Sequence, residues 1–111
     1  MNIDWPVIYI NLSTAEPLRL FTRRDWCDDL AARYSLSHIT EGWHFFVDSS
    51  GLVYRLVGRG FISPGFQIID AQPDDRPDVP GLVLKRAAAC HGIAAGSISG
   101  IIAALGQKAS S

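Results

Sequence analysis

From Trp43 to Val57 the chain reads Trp-His-Phe-Phe-Val-Asp-Ser-Ser-Gly-Leu-Val-Tyr-Arg-Leu-Val, two runs of aromatic and β-branched residues around Asp-Ser-Ser-Gly. Such side chains fit the pleated, half-buried surface of a strand. At the junction, an aspartate can accept hydrogen bonds from the backbone N–H groups ahead of it. Gly51 can take the positive φ that a type I turn with a bulge requires. A β-hairpin is therefore predicted here, and it commits the middle of the chain to antiparallel pairing.

The flanking sequence supplies partners for it. Trp5 to Asn11 is apolar and β-branched, with Pro6 where a strand's first residues or an edge tolerate it. Turn residues from Ser13 to Pro17 lead into the short alternating run Leu18-Arg19-Leu20-Phe21, which makes a second hairpin with the first strand. Thr22 and Asp25 then resemble a capping box, with Phe21 and Trp26 placed as a hydrophobic staple. Trp26, Cys27, Leu30, Ala31 and Tyr34 follow at helical spacing. Helix propensity fades through Ser35, Ser37 and Thr40, and Gly42 marks the return loop.

After the central hairpin, Gly58, Gly60, Pro64 and Gly65 interrupt the chain, and Phe66 to Asp70 is a fifth, shorter strand. Pro73 to Pro80 reads as an exposed loop in which Asp78 caps the next helix. That helix carries Leu82, Val83, Ala87 and Cys90 and ends at Gly92. Ser97 caps a last helix with Ile98, Ile101, Ile102 and Leu105 on one stripe, ended by Gly106. Residues 107–111 are read as a loose tail. The expected order is β-β-α-β-β-β-α-α, an α+β fold with an antiparallel sheet of four or five strands and helices mainly on one face.

A length of 111 residues, with 48% hydrophobic and 19% charged residues, suits one globular domain over 1–111. The formal charge of −1 provides no broad positive field, so no nucleic acid is expected as a partner. Ala87 to Gly106 is uncharged if His91 is neutral, but it is dominated by alanine, glycine and serine, so no membrane span is expected. The N-terminus lacks the pattern of a secretory signal, and the expected location is cytoplasmic, with Cys27 and Cys90 reduced.

No catalytic, cofactor or metal motif is found. Cys90 and His91 are neighbours, and consecutive helical residues point about 100° apart, which disfavours a thiolate-base pair. Two cysteines 63 positions apart with His38, His44 and His91 lack the paired spacing of a zinc site. The carboxylates Asp70, Asp74, Asp75 and Asp78 lack the pattern of a calcium loop. Gly96-Ser97-Ile98-Ser99-Gly100 puts isoleucine where a nucleophile elbow needs serine. Arg59-Gly60-Phe61 opens like an RNA-recognition strand, but Ile62-Ser63-Pro64 breaks it. Gly92, Gly96 and Gly100 are spaced by four, but Gly92 and Gly96 bracket a turn.

Taken together, Asp4-Trp5-Pro6-Val7-Ile8, the helical Trp26 and the Val47-to-Tyr54 hairpin resemble a family of uncharacterised bacterial single-domain proteins. The resemblance implies a bacterial, cytosolic domain of unknown function and carries no site residues. The expected function is a small non-catalytic binding or protein-interaction domain, with a protein partner or a homodimer. Trp43, Tyr54, Phe61 and Phe66 are the candidate interaction surface. The alternative is a small enzyme, or a small-molecule or anion-binding protein, whose site is assembled only in the fold, with Asp48, His44 or Cys90 taking part.

Overall fold

A computed structural model describes residues 3–34, 36–39, 41–63, 66–74 and 76–110, with 31, 36–37, 58–63, 66–69 and 108–110 described in backbone only. The strands are β1 (Val7–Asn11), β2 (Arg19–Phe21), β3 (His44–Val47), β4 (Val53–Ser63) and β5 (Phe66–Pro73). Helices α1 (Trp26–Arg33) and α2 (Leu36–Ile39) lie between β2 and β3, while α3 (Val79–His91) and α4 (Ile98–Ser110) follow β5. The five strands form one sheet in the order β2-β1-β3-β4-β5, with every neighbouring pair antiparallel. The chain has an α+β fold. No helix among the described residues is long and apolar enough to cross a membrane.

The central hairpin forms as expected around Asp48. Its N–H donates to the Leu52 carbonyl at 3.0 Å, and Gly51 N–H donates to the Asp48 carbonyl at 2.9 Å. Gly51 sits at φ 89°, where a side chain would be strained. The Asp48 carboxylate is fully buried and accepts from Ser50 N–H at 3.0 Å, Ser50 Oγ at 2.8 Å and Leu52 N–H at 2.9 Å through Oδ1.

The helices divide between both faces of the sheet, where the sequence had suggested mainly one. Ile8, Ile10, Phe45 and Val47 point to the face covered by Val79, Val83 and Ala87 of α3 and Ile101 and Leu105 of α4. Val7, Tyr9, Phe46 and Leu56 point to the opposite face, under Leu30 of α1 and Ile39 of α2. The physical reason is visible in β1 and β3: all their residues are buried, so neither alternates between apolar and polar. Strands of that kind need cover on two sides.

Four local readings are corrected. Gly58 and Gly60 do not end β4, which continues to Ser63 with shifts of register between Gly58 and Gly60 and between Phe61 and Ser63. Glycine inside a strand marks an irregular pairing as readily as a break. The short α2 was not anticipated, and it is held by the fully buried Ile39. The Asp78 carboxylate bonds Arg76, at 3.1 and 2.7 Å, and makes no side-chain bond to the start of α3. Lastly, α4 runs through Gly106 to Ser110. Two expected termini are present: Gly92 ends α3 at φ 65°, and Ser97 Oγ accepts the Gly100 N–H at 3.2 Å ahead of α4.

Candidate functional site

Two arrangements stand out, both on the face covered by α1 and α2. The first is built by large aromatics. Trp5 precedes β1 and Trp26 opens α1, so 20 intervening residues must turn back for the indoles to meet, which they do with ring centres 6.3 Å apart and planes 27° from parallel. Phe46 of β3 meets each of them edge to face, at 6.1 and 5.3 Å. Such pairings add roughly 0.5–1.5 kcal/mol each beyond the area they bury.

The segment bearing Trp5 is tied to the turn of the central hairpin. Asp4 N–H donates to Asp48 Oδ2 at 3.2 Å, Ser49 N–H donates to the Asp4 carbonyl at 2.9 Å, and Ser49 Oγ donates to the Pro6 carbonyl at 2.8 Å. Beside this anchored segment lies an open cleft of about 730 Å³. Ile3, Asp4 and Trp5 line one part, Arg23 and Trp26 another, and Asp70 and Ala71 of β5 a third. Its size falls within the range of about 300–1,000 Å³ typical of small-molecule sites.

The second arrangement is a chain of hydrogen bonds through the core. Tyr9 Oη lies 2.6 Å from His44 Nδ1, and His44 Nε2 lies 2.7 Å from His38 Nδ1. At the other end Tyr9 bonds Tyr34, whose hydroxyl donates to Glu16 Oε1. Starting from the Tyr34 hydroxyl donating to Glu16, one self-consistent assignment of hydrogens has Tyr9 donating to Tyr34, His44 Nδ1–H to Tyr9, and His38 Nδ1–H to His44 Nε2. Burial raises the pKa of Tyr9, with its bond to Tyr34 adding to the effect. Burial and the neighbouring His38 lower that of His44 to about 4, against a smaller upward pull from Glu16.

Glu16 is presented by a loop that the other face of the protein holds in place. Arg86 of α3 donates to the carbonyls of Asn11 and Thr14, each at 2.7 Å, and to that of Glu16 at 3.4 Å. His91 Nε2 accepts the Leu18 N–H at 3.0 Å.

No family model, curated protein or solved structure matches the sequence.

Of the expected interaction residues Trp43, Tyr54, Phe61 and Phe66, the first two have described side chains. Trp43 is 44% exposed, but Tyr54 is buried, because strand parity places it with Phe46 beneath the α1 and α2 layer. Tyr54 also bonds the Asp48 carboxylate. Phe61 and Phe66 belong to β4 and β5, and their side chains lie outside the described residues. Asp48, His44 and Cys90 do not converge: Asp48 organises the turn, His44 sits in the buried chain, and Cys90 Sγ is directed to the Ala15 carbonyl at 3.7 Å. Among the described residues no group of three or more His, Cys, Asp or Glu is placed to hold a metal ion. Sequence reasoning passed over Trp5 and Trp26 as cleft residues and Tyr9, Tyr34, His38 and Glu16 as a network. Trp5, Trp26, Trp43, Phe45, Phe61 and Phe66 are many large aromatics for a chain of this size, which pointed toward a pocket or interface among them, and no spacing pointed toward the network.

Proposed function

We propose that this protein is a small non-catalytic binding domain whose ligand occupies the cleft beside Trp5 and Trp26. The observation that carries this reading is the pairing of an open cleft of suitable volume with two half-buried indoles and charged groups of both signs. The exposed lining is more polar than apolar, so its charged groups would select the ligand while the indoles supply the apolar contact.

A protein-interaction surface has less support. The large hydrophobics known to be exposed, Trp43 and Leu52, are separate side chains of the kind that any soluble surface carries. Acid–base catalysis would have to use the Tyr9–His44–His38 chain. Those groups bond one another, and none of them lines the cleft. The cytoplasmic setting and the likeness to uncharacterised bacterial single-domain proteins belong to this proposal, as does the exclusion of nucleic acid, which rests on the near-neutral charge.

The three tryptophans provide a direct test. Indole N–H resonances of Trp5 and Trp26 are expected to shift when mixtures of small organic molecules are added, while that of Trp43, remote from the cleft, stays in place. Equal shifts of all three, or of Trp43 alone, would sink the proposal.

A further inference from the structure

We infer that the cleft takes a short peptide with both termini free, a zwitterion carrying an apolar side chain. The inference rests on the cleft being the binding site, and it names the class of ligand. Asp4 and Arg23 are both exposed, and they reach the cleft from different segments of the chain. The third charged group of the lining, Asp70, is half-buried and already accepts the Ala71 N–H at 2.9 Å, which leaves Asp4 and Arg23 as the exposed charges: a simple anion would meet Arg23 but oppose Asp4, and a simple cation would meet Asp4 but oppose Arg23. A neutral ligand leaves both charges without a counterpart. One molecule with an ammonium group and a carboxylate answers each, the carboxylate against the planar guanidinium that suits it geometrically.

The rest of the lining selects the body between those charges. Trp5 and Trp26 are stacked with ring centres 6.3 Å apart, and the half-buried pair offers apolar surface against which an aliphatic or aromatic side chain can pack. Phe46, fully buried, supports both rings from below, so the platform is fixed before any ligand arrives. The volume of about 730 Å³ exceeds what a single amino acid fills and accommodates two or three residues. Ligation also has a stable frame: the Asp4 backbone is bonded on both sides to the Asp48–Ser49 turn, so a substitution of the Asp4 side chain leaves those bonds intact.

The test is calorimetric titration of the whole chain with L-leucyl-L-phenylalanine, its N-acetyl form, its C-terminal amide and the doubly capped form, with indole resonances followed in parallel. Each single cap is expected to weaken binding about tenfold, on the scale of one charge-assisted contact. Arg23→Ala should weaken the free dipeptide by a similar factor and remove the penalty of the amide, while Asp4→Asn should remove the penalty of the acetyl group. Both side chains are exposed, and retention of the fold is read from circular dichroism. If the doubly capped peptide binds as tightly as the free one through Trp5 and Trp26, the zwitterion is overturned and the cleft stands. If no member of the series moves those two resonances, the peptide class falls, and the cleft falls with it should the wider mixtures also leave them unmoved.

Discussion

The two faces of the sheet are built from adjacent residues of the same strands, yet they are chemically unlike. Phe45 and Phe46 show this within one step of β3. Phe45 enters a layer of isoleucine, valine, leucine and alanine against α3 and α4. Phe46 enters a layer of tyrosine, tryptophan and phenylalanine against α1 and α2, where the buried His44–Tyr9 chain and the cleft also lie. The packed side chains of the aliphatic face exclude water, while Arg86 and His91 of its α3 hold the neighbouring loop. The aromatic face combines packing with directed hydrogen bonds, and there the protein accepts the cost of burying polar groups by bonding each to the next.

Substitution at the two phenylalanines is the strongest way to break the comparison. Phe45→Ala and Phe46→Ala should each cost about 3–5 kcal/mol in denaturant unfolding, as core truncations do. Only Phe46→Ala should change the emission of Trp5 and Trp26, which rest on it. Equal spectral effects from both would mean that the faces are not separate.

Acid provides the next largest effect, confined to the aromatic face. His44 has a folded pKa of about 4, below the ordinary value of 6.5, so the fold favours its neutral form. Its contribution to stability is therefore complete above pH 6.5. It declines as pH falls from there toward 4, because the unfolded chain takes up a proton that the folded one refuses. A loss of roughly 2–3 kcal/mol is expected across that window. Replacing His44 with phenylalanine should flatten this part of the stability profile, whatever its effect at neutral pH.

A smaller change sharpens the same point. Glu16→Gln retains an acceptor for Tyr34 but removes the charge that draws the His44 pKa upward. A stability loss of about 1 kcal/mol is expected. The His44 ring resonances should also titrate at still lower pH, since the protonated form loses a favourable neighbour.

Much of the fold is legible in the sequence because it depends on local chemistry. The Asp48-to-Gly51 turn, the Gly92 terminus and the Ser97 cap each follow from the conformational needs of one or two residues. The division of helices between two faces was also written there, in the unbroken apolar runs of β1 and β3, although those runs signal two-sided burial only when their lack of alternation is taken seriously. The four residues of α2 are too few to show a period, and what fixes them is Ile39 in the core and His38 against His44. The site is least legible. Trp5 and Trp26 read equally well as core residues, and only the return of the chain through β2 puts their rings together. Glu16 and Tyr34 are 18 positions apart, and Tyr9 and His44 are 35 apart, distances at which sequence spacing carries no geometric information.

The loop from Asn11 to Pro17 bears on the order in which the chain assembles during synthesis. Its anchors, Arg86 and His91, lie 70 to 75 positions further along, whereas the Tyr9–His44 pair it helps to complete is in hand once β3 has been made. Contacts of such long separation close late. A nascent chain ending at Pro73 would possess every strand of the sheet but no grip on the loop, leaving Glu16 without the backbone support that α3 provides. The acceptor end of the buried chain is thus supported only when the last third of the polypeptide arrives, and the emerging protein passes through a stage in which its sheet is complete and its polar core is not.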